Sequence, residues 1–250
     1  MSRSTHAGNR SACSRGRQRV SRRIFLRNLA VSATALAGSS LFEGCSPSSP
    51  APAAAPTALP LTKPTTAPAT AGSATLLEAI KKRKSASAFQ PQPLPKEKLV
   101  DLLWAAWGIN RPDSGKRTAP SAMNAQEMDI YVLLADGVYV YDAKGNQLTP
   151  MLAQDLRAKA ASMGSLRDAP VHLLFVADYA RCRTMAQSQK ELYSACHTGF
   201  IGQNVYLYCA AEGLGARFYA GIDRAALKDS LKLRQDQAIV FAQAVGYPKE

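Results

Sequence analysis

Seven prolines fall within the 28 residues from Ser46 to Ser73, a stretch with a single charge and no aromatic side chain. Such a segment cannot bury enough apolar surface to offset the entropy of ordering it. It reads as a disordered tether, spanning about 30 Å as a coil and up to about 85 Å if fully polyproline-like. The chain therefore divides into residues 1–45, a linker at 46–73 and one folding unit at 74–250. That last unit is long enough for one domain with a real core and too short for two.

The segment before the tether carries an address. Ser21-Arg22-Arg23-Ile24-Phe25-Leu26-Arg27 precedes an uncharged run from Asn28 to Phe42. Paired arginines ahead of an apolar stretch mark a twin-arginine signal peptide, which a receptor reads. The run is shorter than the roughly 20 apolar residues a bilayer core requires, so it is not read as a membrane span. The pathway exports proteins already folded, often around a cofactor, and the expected location is the periplasm or the outer face of the cell envelope. Cys45, preceded by Gly44, resembles a lipoprotein cysteine, while Glu43 is unusual before one; a membrane tether through lipidated Cys45 and soluble release after cleavage both stand open.

The same segment explains most of the charge. Residues 1–45 hold eight Arg and one Glu, leaving +6 of the net +13 for the rest, of which Lys81-Lys82-Arg83-Lys84 supplies four. The remainder is close to balanced, so the basic composition is no sign of a nucleic-acid partner. Cys182, Cys196 and Cys209 form an odd, unpatterned trio from which no pairing can be deduced. His172 and His197 have no metal-ligand spacing and read as ordinary polar residues near strand and helix ends.

Within 74–250, helices and strands alternate. Helices are expected over Leu76–Lys82, over Lys96–Trp107 with Leu99, Leu102, Leu103 and Ala106 on one face, and over Tyr193–Glu212 up to Gly213. Trp104 and Trp107 fall at the margins of the second helix, as candidate interface residues. Asp136-Gly137 between the apolar runs Ile130–Ala135 and Val138–Tyr141 marks a hairpin. Met151–Ala161 reads as helical, Val171–Ala177 as a buried strand, Asp223 as the cap of a helix through Leu231, and Ala238–Val245 as the last strand. The fold class is α+β, a mixed sheet flanked by helices. No strand leads into a G-x-G-x-x-G turn, and no P-loop, nucleophile elbow or paired-carboxylate spacing is present.

Arg83-Lys84-Ser85-Ala86-Ser87-Ala88-Phe89-Gln90-Pro91 gathers cations and hydroxyls suited to a phosphate, although a charge run at a helix end is more often a solvated face. Three further motifs follow in order: Ala119-Pro120-Ser121-Ala122-Met123-Asn124-Ala125-Gln126, then Gly199-Phe200-Ile201-Gly202-Gln203-Asn204 ending in Gly213-Leu214-Gly215, then Val245-Gly246-Tyr247-Pro248. Together, over essentially Leu76 to Lys249, they resemble the FMN-dependent nitroreductase family. The hairpin Gly137-Val138-Tyr139-Val140-Tyr141 is similar to the branch of peptide-azoline dehydrogenases.

That resemblance implies an intertwined homodimer with FMN held between subunits. It assigns the phosphate to Arg83 and Ser85 with Lys84 adjacent, and the ring and its loop to Pro120, Ser121, Asn124 and Gln126, the loop coming from the partner subunit. Gly221 would present a backbone N–H to flavin N5. No protein acid or base is assigned, because the cofactor carries hydride transfer. Two positions depart from the family pattern: Ser87 stands where a basic residue is usual, with Arg117 a candidate replacement, and Lys249 would serve for a phosphate-binding residue beyond the chain's end. The implied function is transfer of two electrons from NAD(P)H or another donor to a small electron-poor acceptor, a quinone or nitro compound. Its alternatives are a dehydrogenase with the flow reversed and a non-catalytic flavin-binding or partner-binding lipoprotein.

Overall fold

Asp136-Gly137 reverses the chain between the two strands that pair Val132 with Tyr139 and Leu134 with Gly137, as the sequence pattern anticipates. The computed structural model describes residues 57–60 and 74–249; the segments expected to be an export signal and a tether lie, for the most part, outside the described residues. In chain order the strands are β1 (Leu59–Pro60), β2 (Ile109–Arg111), β3 (Lys116–Arg117), β4 (Met128–Leu134), β5 (Gly137–Asp142), β6 (Gln147–Leu152), β7 (Val171–Asp178), β8 (Gly215–Tyr219) and β9 (Gln237–Gly246). The helices are α1 (Leu76–Lys82), α2 (Lys96–Trp107), α3 (Arg157–Ala160), α4 (Gln187–Ala211) and α5 (Arg224–Ser230). Seven strands form one sheet in the order β1-β6-β5-β4-β7-β9-β8, and β2 pairs with β3 apart from it. The strand pairings are antiparallel, and the parallel component is one bridge between Ser85 and Ala216.

Alternation along β4 and β7 divides the core between the two faces of the sheet. Ile130, Val132, Leu173 and Phe175 join Leu99, Leu103, Ile201 and Val205 from α2 and α4. Tyr131, Leu133, Leu174 and Val176 join Leu156, Leu166, Leu227 and Leu231 around α3 and α5. The α+β expectation, with helices on a sheet, is what the chain forms.

Several local expectations change. Trp107 is not a margin residue: four positions after Leu103 it continues the buried stripe, 2% exposed, and its Nε1–H donates to the Met128 carbonyl at 2.8 Å. Ile201 and Val205 continue the buried face of α4. Both are fully buried in the chain's own core with Tyr208 packed against it, and the exposed large apolar residues of α4 are Leu192 and Phe200. Met151–Ala161 is mostly not helical; Gln147–Leu152 is a strand, and only Arg157–Ala160 coils. Pro150 hid this strand, because proline cannot donate to a ladder; here the register shift opposite Val138 and Tyr139 accommodates it near the sheet edge. α4 ends where Gly213 adopts φ +70, a left-handed conformation that glycine enters without a Cβ penalty. Gly202, in the middle of α4, lies where a Cβ would come within 2.8 Å of the Phe218 ring, so its absence lets the helix lie close on β8. The thiols of Cys182, Cys196 and Cys209 are unpaired.

His172 and His197 are both buried: His172, second in β7, lies near a strand end as expected, whereas His197 lies in the middle of α4 and not near a helix end. His172 in β7 is fully buried, with its Nδ1 2.7 Å from the Tyr219 hydroxyl. Burial first, then the positive charge of Arg157, push its pKa down to about 4, against opposing effects of Leu166 and Asp155. Unfolded, it titrates near 6.5. A depressed folded value means this contribution is whole above pH 6.5 and is lost as pH falls toward 4. At pH 5 the domain should be less stable by about 2 kcal/mol through this group, since one pKa unit is about 1.36 kcal/mol. Urea unfolding of wild type and His172→Gln at pH 5 and 7 checks it: the wild type should lose that much more stability than the variant, and equal losses would contradict it.

Candidate functional site

The basic segment leaves α1 at Arg83 and runs beside β8, where the Ala86 N–H donates to the Ala216 carbonyl at 2.9 Å. Ala86 and Phe89 are buried, which anchors the segment and leaves Ser85 and Ser87 exposed on its other face. Tyr206 of α4 is the post that fixes it. Its ring lies 5.2 Å beneath the Arg83 guanidinium, and its hydroxyl accepts the Phe218 N–H at 2.8 Å and sits 2.9 Å from Ser85 Oγ. With a lone pair engaged by Phe218, Tyr206 can donate to Ser85 and leave the serine hydrogen directed elsewhere. The result is one guanidinium on an aromatic face beside an outward hydroxyl, a set that fits one phosphate group. Among the described residues, no carboxylate lies within ion-pair range of Arg83.

Not every residue of that run joins this cluster. Lys84 lines a separate cavity of about 210 Å³ with Lys82, Leu214 and Pro248, although Tyr206 borders it too. The Lys249 N–H donates to the Ala88 carbonyl, while its ammonium pairs with Asp168 at 2.8 Å. Gly221 is exposed beyond β8, its carbonyl accepting the Ser162 N–H at 3.1 Å. A Cβ there would meet Ser162 only at 3.7 Å, so the chain's own packing does not demand glycine.

The second group gathers on another part of α4. Pro120 is exposed; after Ser121 comes a tight turn in which Met123, Asn124 and Gln126 have φ of +51, +54 and +46. Non-glycine residues in this region each cost on the order of 1 kcal/mol and persist only where surroundings hold them. The Gln126 N–H donates to Ser121 Oγ at 3.1 Å, and Gln126 Nε2 to Asn124 Oδ1 at 3.0 Å and to the Gly115 carbonyl. Arg117 donates to Gln126 Oε1 and the Trp107 carbonyl and stacks 4.8 Å from the Trp107 ring. Its guanidinium is thus engaged within its own chain. Asn204 is a packing amide, donating to the Ala105 carbonyl and tying α4 to α2.

Sequence reasoning missed the groups beneath this loop. Glu127 is fully buried, with its Oε1 2.5 Å from His197 Nδ1 and 3.2 Å from Ser194 Oγ. His197 Nε2 accepts the Ala122 N–H at 2.8 Å. Burial raises the Glu127 pKa, but hydrogen bonds from His197, its own backbone and Ser194 outweigh burial and hold it below the usual carboxylate range. A signal was available: His197 falls four and eight residues before Ile201 and Val205, on the apolar stripe of α4, and a buried imidazole needs a partner. Tyr206 and His197 are nine residues apart, so the two groups sit about 13 Å apart along the helix axis.

Comparison with known proteins agrees with this architecture. The sequence model of the nitroreductase family matches residues 80–247. A protein of Methanocaldococcus jannaschii named as a nitroreductase is 26% identical over 171 residues, covering 64% of this chain and 85% of its own. A Ralstonia eutropha structure of the same designation is 34% identical with a TM-score of 0.70, covering 77% of this chain and 90% of that one. A Desulfovibrio desulfuricans structure, described as a nitroreductase in complex with FMN, shares the fold at 24% identity and a TM-score of 0.51, covering 71% of this chain and 88% of that one.

Proposed function

Because this chain belongs to the nitroreductase family, we propose that it is an FMN-dependent oxidoreductase carrying two electrons between a donor, NAD(P)H or another, and a small electron-poor acceptor such as a quinone or nitro compound. One observation carries the cofactor reading: Arg83 and Ser85, seated on Tyr206, offer a guanidinium with no carboxylate partner among the described residues and an outward hydroxyl at one place. These would hold the phosphate. Ser87 would lie along the ribityl or ring edge, Gly221 would offer backbone to the ring, and the loop of Pro120, Ser121, Asn124 and Gln126 would cover it from a second copy in a homodimer. Bound FMN supplies the two-electron exchange; the chain's residues bind, orient and screen it from water. Lys249 would assist only by leaving Asp168. The purified protein should be yellow and release FMN, not FAD, on denaturation. A colourless protein that also fails to bind added FMN would sink this reading.

Within the family we place the chain near the azoline-dehydrogenase branch, on the Gly137–Tyr141 hairpin. Which reagent reduces the bound flavin, NADPH or an oxidisable substrate, decides the direction of flow. We also propose export through the twin-arginine signal, with Cys45 as a candidate lipid anchor. Changing Arg22 and Arg23 together to Lys should retain the folded protein in the cytoplasm, because the pair is recognised by geometry as well as charge. Unchanged periplasmic yield on fractionation would refute this, and fatty-acid labelling decides Cys45.

A further inference from the structure

We infer that Glu127 and His197 are positioning residues that form a proton-sensitive latch on the 120–126 loop, holding it in its ligand-ready conformation when His197 is neutral and releasing it when His197 is protonated. The inference rests on the cofactor reading only for what the loop binds; the latch itself is built from this chain's contacts.

The donor set fixes the protons. The backbone N–H of Ala122 can only donate, so the His197 Nε2 that faces it at 2.8 Å must be the unprotonated nitrogen. The ring hydrogen is then on Nδ1 and is donated to Glu127 Oε1, which also accepts from Ser194. The Glu127 carboxylate therefore selects the tautomer, as a carboxylate behind a histidine does elsewhere. Glu127 Oε2 is buried with no hydrogen-bond partner among the described residues, but its carboxyl is held below the usual carboxylate range, which leaves Nε2 to receive a proton arriving from solvent. Beside Glu127 the resulting imidazolium is stabilised, but two N–H donors would then face each other at the Ala122 contact. One arrangement keeps the imidazolium–carboxylate pair and releases Ala122; the other keeps Ala122 and excludes the proton.

The loop is built to respond. Met123, Asn124 and Gln126 all hold left-handed backbone, which relaxes once the contacts that impose it are lost. Ala122 begins that turn, directly after Ser121. Of the groups facing the pair, Tyr193 from α4 stacks 6.3 Å from the His197 ring. Tyr179 and Cys182, from the turn after β7, are both pushed up by burial and stay neutral between pH 5 and 8. Asp178, Lys190, Glu191 and Arg181 act on those two from further out. Arg117 and Arg181 grip Gln126 from the other side and keep their charge throughout. His197 is the side chain in this set that touches both Glu127 and the backbone of Ala122.

His197→Gln is the discriminating variant, since its amide oxygen can accept the Ala122 N–H yet cannot take up a proton. FMN affinity and the Ala122 amide resonance are followed from pH 8 to pH 5 in the full-length protein, the resonance without FMN. The wild-type dissociation constant should rise about 10-fold more than that of His197→Gln, the consequence of losing one hydrogen bond with a buried partner. The comparison cancels titration of the FMN phosphate near pH 6. The wild-type Ala122 resonance should move with pH, that of His197→Gln should stay fixed, and Glu127→Gln should move the transition to lower pH. Should His197→Gln fail to fold, the Glu127→Gln shift decides. A stationary wild-type Ala122 resonance, or identical pH profiles in wild type and His197→Gln, overturns the latch. A titrating resonance in a protein that binds no FMN keeps the latch and removes the cofactor reading; tight FMN binding over a stationary resonance does the reverse.

Discussion

Trp107→Ala should lower the unfolding free energy of the domain by about 4 to 5 kcal/mol. Truncating a buried tryptophan costs about 3–5 kcal/mol through lost burial and the cavity left behind. The change also strands the Met128 carbonyl, whose residue is fully buried and which accepts the indole N–H at 2.8 Å. An unsatisfied buried acceptor adds about 1–3 kcal/mol, although the two penalties overlap. Arg117 would lose the ring it lies on, while keeping the Trp107 carbonyl and Gln126. Against a total stability of about 5–15 kcal/mol, the loss is a large fraction. Trp107→Phe keeps most of the volume and should cost about 1–2 kcal/mol, mainly the hydrogen bond. Urea unfolding at neutral pH measures all three proteins, and an alanine variant within 1 kcal/mol of wild type would return Trp107 to the surface role its place at the helix end suggested.

Arg83→Glu should weaken FMN binding by about 100- to 1000-fold while leaving the fold intact. A charge-assisted hydrogen bond is worth about 1.5–3 kcal/mol, and a carboxylate facing the phosphate adds repulsion; each 1.4 kcal/mol is about tenfold in affinity. Arg83 is only half-buried and stands over Tyr206, so the apo-protein should change stability by no more than about 0.5 kcal/mol. Arg83→Lys keeps the charge but not the two-pronged geometry and should lie between, about tenfold weaker than wild type. Fluorescence quenching on titration with FMN reads these values. Wild-type affinity in Arg83→Glu would mean that the phosphate lies elsewhere, with the cavity beside Lys82 and Lys84 the next candidate.

What could be read in the chain before its structure was the local part. α1 and α2 begin and end where their stripes and flanking residues place them, and the Asp136-Gly137 hairpin forms as its turn chemistry requires. Gly213 stops α4 for a reason internal to one residue. Contacts over long separations were not legible. β6 was masked by Pro150 because its pairing partner, β5, decides its identity more than its composition does. Glu127 is a single acid before an apolar strand until the fold brings His197, 70 residues later, against it. Tyr206 likewise gains its role only when β8 and the basic segment meet at its hydroxyl. Periodicity marked Ile201 and Val205 as apolar on one face of α4 but could not say whose core that face enters.

The two borders of the sheet bear on how the protein behaves at high concentration. A bare strand edge is a template on which another chain can add by backbone pairing. Here the β6 border is covered by Leu59–Pro60, paired with Leu148 and Gln147, and the β8 border meets the chain at Ser85 and Ala86. Both covers come from residues that precede the sheet in the chain, and one of them is proline, which has no N–H to offer a further strand. A protein shortened to begin at Ala74 would keep the β8 cover and lose the β6 one. Its folded core would be intact, yet it would carry an adhesive border that the longer chain conceals, so the few residues at 59–60 act on colloidal behaviour far out of proportion to their number.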